Sequence, residues 1–345
     1  MRKFSRRDAL QWISVQFAAL TGASILAACS DGDTPQTDQD VSQEMSPAES
    51  SESSISEDVA VEEAQPEEMQ ETTGSYPHLT VARGGEPEGL VRNALAALGG
   101  MERFVSPGDD VIVKPNICVS YHDYKYAATT NPWVVATLVK LCFEVGAGRV
   151  RVMDYPFGGT CEQAYERSGI AEQVQAVGGI MEIISSIKFV ETEIPEGQDL
   201  RTCEIYDDIL QADAVINVPI AKHHSLARLT LGMKNLMGTI RSRPPMHTNL
   251  GQRLADLTSR IRPALTVVDA VRILTANGPT GGNLDDVQKL DTVIASPDIV
   301  AADSYAAGLF GKQPGDLSYI TAGVAMGLGR SDLKNLEIVE LSGAG

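Results

Sequence analysis

Ala214-Val215-Ile216-Asn217-Val218-Pro219 is a β-branched, apolar run with one polar member, closed by a proline. Leu265-Thr266-Val267-Val268-Asp269 repeats the pattern fifty residues later and ends on an acid. A strand that is apolar on every residue is buried on both faces, which is the habit of parallel sheets covered by helices. Outward from these two runs, further candidate strands lie at 79–82, 110–114, 149–154, 187–192, 291–295 and 336–341, alternating with helical patterns at 87–98, 132–145, 161–176, 229–237, 250–261, 297–310 and 315–326. This alternation predicts an α/β fold with a mostly parallel central sheet flanked by helices. No repeat of solenoid length is visible.

The body predicted in this way, residues 77–345, follows two segments of a different kind. Residues 1–28 read as a signal peptide: Ser5-Arg6-Arg7-Asp8-Ala9-Leu10 has a twin-arginine pattern, and a charge-free stretch leads to Leu26-Ala27-Ala28-Cys29. Small residues before a cysteine match a lipoprotein cleavage site, so Cys29 would carry the lipid. Residues 29–76 then form an acidic linker with fourteen acids and no base, a composition that predicts a disordered tether. The expected partners are the twin-arginine export machinery and a lipid membrane reached through Cys29. The expected place is outside the cytoplasm, on the periplasmic face in a Gram-negative cell.

Charge is distributed accordingly. The 345-residue chain has a net charge of −18, of which the tether holds −14 and residues 77–345 hold −7, with the signal segment at +3. Such a body is not a basic nucleic-acid binder. One stretch runs against the trend: Lys222 to Ala255 contains no acid, but it has Lys222, Arg228, Lys234, Arg241, Arg243 and Arg253 and three of the five histidines. That segregation creates a positive field suited to a small anionic molecule. Lys234 sits inside the apolar segment Leu229–Met237, where a lysine either snorkels to water or is desolvated and acquires a lowered pKa.

Ligands in open α/β sheets gather beyond the carboxyl ends of strands. Four predicted strand ends deliver polar groups: Lys114-Pro115-Asn116, then Asp154 before Gly158-Gly159-Thr160, then Lys222-His223-His224, and Asp269 ahead of Gly278-Pro279-Thr280-Gly281-Gly282. The candidate catalytic groups are Lys234, His223 and Lys222. Lys114, Asn116, Arg241, Arg243, His247, Gly281 and Gly282 are candidates for binding substrate, with Asp154 and Asp269 orienting it. A divalent metal held by His223, His224, His247 and Asp269 is a second use of the same residues. The remaining cysteines, Cys118, Cys142, Cys161 and Cys203, show no Cys-x-x-Cys spacing, which argues against an iron–sulfur cluster but leaves room for up to two disulfides. Neither a G-x-S-x-G elbow nor a phosphate-loop lysine motif is present.

Read in order, Lys114-Pro115-Asn116, Asn217-Val218-Pro219 with Lys222-His223-His224, Gly232-Met233-Lys234-Asn235-Leu236-Met237-Gly238, His247, Val268-Asp269-Ala270, Asn277–Gly282, Ala295-Ser296-Pro297-Asp298 and Ala301-Ala302-Asp303 resemble the bacterial and archaeal family catalogued as domain of unknown function 362. The likeness covers about 110–311. Some members of that family carry ferredoxin-type iron–sulfur insertions, whose cysteines this chain lacks. The resemblance implies the domain and its motif positions, not a reaction. Three functions fit these features: an enzyme acting on a small anion through a Lys/His/Arg cleft, a ligand-binding lipoprotein serving a transporter or sensor, and a structural or interaction lipoprotein that uses the acidic tether.

Overall fold

The computed structural model describes residues 76–343. The segments expected to be a signal peptide, a lipidated Cys29 and an acidic linker lie outside the described residues, Tyr76 apart. Among those described, no helix is long and apolar enough to cross a membrane.

The main sheet begins with β1 (Leu79–Arg83), which leads into α1 (Pro87–Ala97). β2 (Asp110–Pro115), α2 (Pro132–Glu144) and β3 (Arg149–Val152) follow, with Asn131 capping α2 through its side chain. The helix expected over 161–176 is two helices, α3 (Cys161–Ser168) and α4 (Ile170–Ala176), because Gly169 turns left-handed at φ 79 between them. α3 starts on a capping box between Thr160 and Gln163. β4 (Ile180–Met181) is the short edge of the sheet. β5 (Phe189–Glu193) and β6 (Thr202–Tyr206) pair with each other outside the main sheet, so the run expected at 187–192 belongs to a separate antiparallel hairpin.

After α5 (Asp207–Gln211), β7 (Ala214–Val218) enters the centre of the main sheet, buried at every residue. Pro219 interrupts the strand, and the chain resumes as β8 (Ile220–His224), which hairpins onto β9 (Arg228–Thr230). β9 and the short α6 (Gly232–Asn235) replace the single helix expected over 229–237. α7 (Leu250–Ile261), β10 (Leu265–Leu274), β11 (Val287–Ser296), α8 (Ile299–Gly308), α9 (Ser318–Ala325) and β12 (Ile338–Ser342) complete the order.

The sheet runs β12-β1-β11-β10-β7-β2-β3-β4. All neighbours are parallel except β11, which is antiparallel to both β1 and β10. Long β10 pairs with β7 at Leu265 and Thr266, then with β8 at Asp269 and Leu274, so β7 and β8 act as one strand bent at Pro219. The Asp269 amide donates to the Pro219 carbonyl at 2.8 Å and spans the bend. Helices cover both faces. α1 to α4 contribute Leu90, Val135, Leu138 and Tyr165 to one core, while α6 to α9 contribute Met233, Leu254, Ala302 and Ile320 to the other. The protein is therefore α/β with a mostly parallel sheet, as the apolar runs at 214–218 and 265–268 imply.

The four cysteines among the described residues are free. A buried carboxylate links two segments. Asp256 on α7 is fully buried and accepts from the amides of Gln198, Asp199 and Leu200 at 2.9, 2.9 and 2.7 Å and from Gln252 Nε2 at 2.8 Å. This ties the turn after β5 to the helix. Asp256→Ala strands those amides, each costing about 1–3 kcal/mol where water cannot reach. The expected result is a loss of about 3 kcal/mol, read as a lower urea midpoint at unchanged slope.

Candidate functional site

The carboxyl ends of β2, β3 and β7 converge with α6 on a small cavity of about 50 Å³. β2 pairs with β7 so that Lys114 lies beside Asn217. The Lys114 side chain has no solvent exposure, and its Nζ donates to Asp154 Oδ1 at 2.8 Å, the Pro115 carbonyl at 3.0 Å and Asn235 Oδ1 at 3.3 Å. Burial drives the Lys114 pKa down, and the carboxylate of Asp154 opposes that shift. Asp154 also accepts from the amides of Ile117 at 2.5 Å and Tyr155 at 3.0 Å, so both of its oxygens are engaged.

A chain of amides crosses the same floor. Asn217 Nδ2 donates to the Gly232 carbonyl at 3.0 Å, which leaves its Oδ1 to accept from Asn235 Nδ2 at 2.9 Å. Asn235 Oδ1 must then be an acceptor, and it receives Asn116 Nδ2 at 2.8 Å. The direction set at Gly232 thus fixes Asn116 with its Oδ1 free, and that buried oxygen has no hydrogen-bond partner.

The Gly232–Gly238 segment fits between two carboxylates. Asp303, fully buried on α8, accepts from the amides of Gly232 at 2.5 Å and Met233 at 3.0 Å and so holds the start of the turn that carries Lys234. Burial pushes the Asp303 pKa up to about 7, against those two hydrogen bonds. At the other end, a Cβ on Gly238 would collide with Asp154 Oδ1 and lie 2.7 Å from Lys114 Nζ. Both glycines are required by close approach to a charged group.

Lys222, His224, Lys234 and Arg243 complete the wall of the cavity. Lys222 and His224 are two residues apart on β8 and share a face, whereas His223 points to the other side. His223 Nδ1 accepts from the Gly278 amide at 3.1 Å, outside the cavity. His224 Nδ1 accepts from the amides of Leu226 and Ala227 at 3.1 and 3.3 Å, which puts its ring proton on Nε2. Burial, with Lys234 and Lys222 beside it, holds the His224 pKa down at about 3, so it is a neutral hydrogen-bond donor. Arg243 stacks over Tyr155 at 5.1 Å and donates to the carbonyls of Met237 and Tyr155; its pKa is lowered, chiefly by burial. The Lys234 side chain makes no hydrogen bond or ion pair among the described residues. Burial first, then Lys222 and Arg243, lower its pKa to about 8.

Several expected members stand elsewhere. Arg241 is on the β5–β6 hairpin side, bonded to Glu204 at 3.0 Å and lying over Phe189, where its charge is already matched. His247 is exposed on the segment before α7; partial burial and Lys234 lower its pKa. Gly281 and Gly282 shape a left-handed turn against Leu274 and His122 and do not line the cavity. Pro279, just before them, lines it in their place.

The metal set His223, His224, His247 and Asp269 is not assembled: the described residues contain no group of three or more His, Cys, Asp or Glu placed to hold a metal ion. The physical reason is local. Asp269 is fully buried, with its oxygens accepting from the amides of Asn131 at 2.7 Å and Val271 at 3.0 Å, and desolvation pushes its pKa up to about 6. His223 and His224 are separated by strand alternation and each spends Nδ1 on backbone amides.

Cys118, Asn235, Gly238 and Asp303 belong to the site or its frame without having been picked out as site residues. The spacing Gly232-x-Lys234-Asn235-x-x-Gly238 is the sequence signal for two of them and Ala301-Ala302-Asp303 for a third; nothing local marks Cys118.

Residues 111–308 match the model of the family described as Domain of unknown function (DUF362). The chain belongs to this family. Among curated proteins, the thylakoid-associated protein sll1697 of Synechocystis is 28% identical over 248 residues, covering 69% of this chain and 74% of that protein. Among solved structures, the lactate racemase apoprotein of Thermoanaerobacterium thermosaccharolyticum overlays with a TM-score of 0.43 at 12% identity, covering 67% of this chain and 56% of the other. A protein from Thermotoga maritima overlays with a TM-score of 0.41 at 13% identity, covering 66% and 60%. Overlays this distant carry no argument about chemistry.

Gly238→Ala in this DUF362 chain tests the floor of the cavity directly. Overpacking against Asp154 and Lys114 is expected to cost about 1–3 kcal/mol, measured as a drop in the urea midpoint.

Proposed function

We propose that the folded domain is a membrane-tethered, extracytoplasmic enzyme that acts on a small anionic substrate held in the Lys222–Lys234–Arg243 cavity. The observation that carries this reading is Lys234: a largely buried amine with no acid partner, in a wall where Asp154 is the one lining carboxylate and is already held by Lys114. A cationic pocket without a counter-ion favours an anionic guest. The volume suits a small carboxylate or phosphate group, since sites for drug-sized ligands run to about 300–1,000 Å³.

Proton transfer falls to Lys234. Lys222 Nζ is saturated by neighbours, His224 is held neutral, and His223 faces away. An amine with a pKa near 8 gains and loses a proton close to neutrality, the range in which general acid–base catalysis is effective. Arg243 would orient the anionic group, and the free Oδ1 of Asn116 would accept from a hydroxyl on the guest.

Calorimetric titration with small carboxylates and inorganic phosphate is the test. Lys234 is mostly protonated at pH 7 and loses its charge as pH rises through about 8. Anion affinity is therefore expected to fall between pH 7 and pH 9. Lys234→Met should lower affinity at pH 7 by about tenfold or more, the loss of one charge-assisted hydrogen bond, and flatten the pH dependence. Lys234→Arg separates catalysis from binding. It restores the charge at all these pH values, so a ligand-binding lipoprotein keeps its function, whereas an enzyme binds the anion without converting it, as followed by NMR.

Tethering rests on the Leu26-Ala27-Ala28-Cys29 pattern and the twin-arginine pattern ahead of it, and the thylakoid-associated relative is consistent with a protein that works at a membrane. The acidic segment at 30–76 would hold the domain away from an anionic surface. Metabolic labelling with a radioactive fatty acid is expected to mark the wild-type chain and not Cys29→Ala, while an unlabelled wild-type chain would refute lipid anchoring.

A further inference from the structure

Lys222 is fully buried, and its Nζ meets three acceptors: the Ala128 carbonyl at 2.6 Å, the Pro279 carbonyl at 2.9 Å and Cys118 Sγ at 3.2 Å. None is a carboxylate. The sulfur is the one partner that can take a negative charge, and a buried ammonium is costly until its charge is balanced. Cys118 is 7% exposed and lines the cavity with Lys234.

Two further features point to a ligand rather than to packing alone. Asn116, which also lines the cavity and is 8% exposed, keeps a buried Oδ1 without a donor, and the amide chain from Gly232 fixes that orientation. Lys234 has no acid partner. Acceptor, cation and sulfur line one small space. Among the described residues no lysine donates to Cys142, Cys161 or Cys203, so the contact with Lys222 sets Cys118 apart by geometry.

We propose that Cys118 is a nucleophile of this cavity, that Lys222 holds its thiolate, and that the substrate is a small carboxylate or phosphate bearing an electrophilic carbonyl. Sγ bonds to the carbonyl carbon, the π pair of the C=O bond moves onto oxygen, and that oxygen takes a proton from the Lys234 ammonium. The product is a thiohemiacetal-type adduct; no electrons leave the system and no outside oxidant is needed. The proposal rests on the anion-binding reading of the same cavity.

Iodoacetate and iodoacetamide, applied to the full-length chain with each cysteine followed by peptide mass mapping, test it. In both reactions sulfur bonds to carbon and iodide leaves, but only iodoacetate carries a charge. Cys118 is expected to react at least about tenfold faster than the more exposed Cys203, with iodoacetate outpacing iodoacetamide at Cys118 alone because the cationic wall concentrates the anion. Lys222→Met should slow Cys118 about tenfold and leave Cys203 unchanged, and continued protection of Cys142 reports that this variant is folded. Lys234→Gln should remove the preference for iodoacetate while Cys118 still reacts with iodoacetamide. Fast reaction of Cys118 without a preference for iodoacetate supports the nucleophile and defeats the anion reading. An inert Cys118 beside a reacting Cys203 in the wild-type chain overturns the nucleophile, and the anion reading then stands or falls on calorimetry.

Discussion

A lysine and an aspartate with almost no access to water, Lys114 and Asp154, join the ends of β2 and β3, and the rest of the site is arranged around that pair. Removing either charge would leave the other buried alone, a loss of about 3–5 kcal/mol in comparable settings. The pair survives because its remaining hydrogen-bonding capacity is used. Asp154 takes two backbone amides, and Lys114 reaches a backbone carbonyl and Asn235. Gly238 is the condition for this geometry, since any side chain there would occupy the place of a carboxylate oxygen. The fold thus spends its one cavity carboxylate on structure, and that leaves the other cations without a counter-ion.

Those cations divide into satisfied and unsatisfied groups. Lys222 has three protons and three acceptors. Arg243 is anchored by two carbonyls and an aromatic face, which suits a weakly hydrated guanidinium. Lys234 alone is held only through its backbone, by Asp303 at the start of its turn. Its ammonium, without a side-chain partner among the described residues, is the group left to meet a guest. The distinction explains why a stretch of six bases yields one candidate for proton transfer rather than several.

Much of the architecture was legible because burial on both faces leaves a direct mark on composition. The apolar runs at 214–218 and 265–268 mark central strands that pair at Leu265 with Ile216. The helices at 87–98, 132–145 and 250–261 were equally readable. Reading failed where tertiary pairing overrides local pattern. Leu229-Thr230-Leu231 resembles the start of a helix, yet β8 recruits Arg228–Thr230 as a hairpin partner. Gly169 splits a helix whose periodicity runs straight through it. In the site, the lysines and asparagines at strand ends stood out, but Asp303 lies 71 residues from the amide it caps, and no local spacing encodes such a contact.

Strand parity gives the sharpest lesson about the histidines. Three consecutive polar residues, Lys222-His223-His224, look like a single cluster in sequence, but a strand sends the middle one to the opposite face. Pro219 then sets which face is which: it ends the β7 ladder, lets Asp269 bond across the bend, and starts β8 in the register that turns Lys222 and His224 toward the carboxyl ends of β2 and β3. A residue inserted between Val218 and Lys222 would reverse that parity, presenting His223 to the cavity and withdrawing Lys222 from Cys118. The chemistry available here follows from the register of a five-residue strand, and the composition of the basic stretch would be unchanged by its loss.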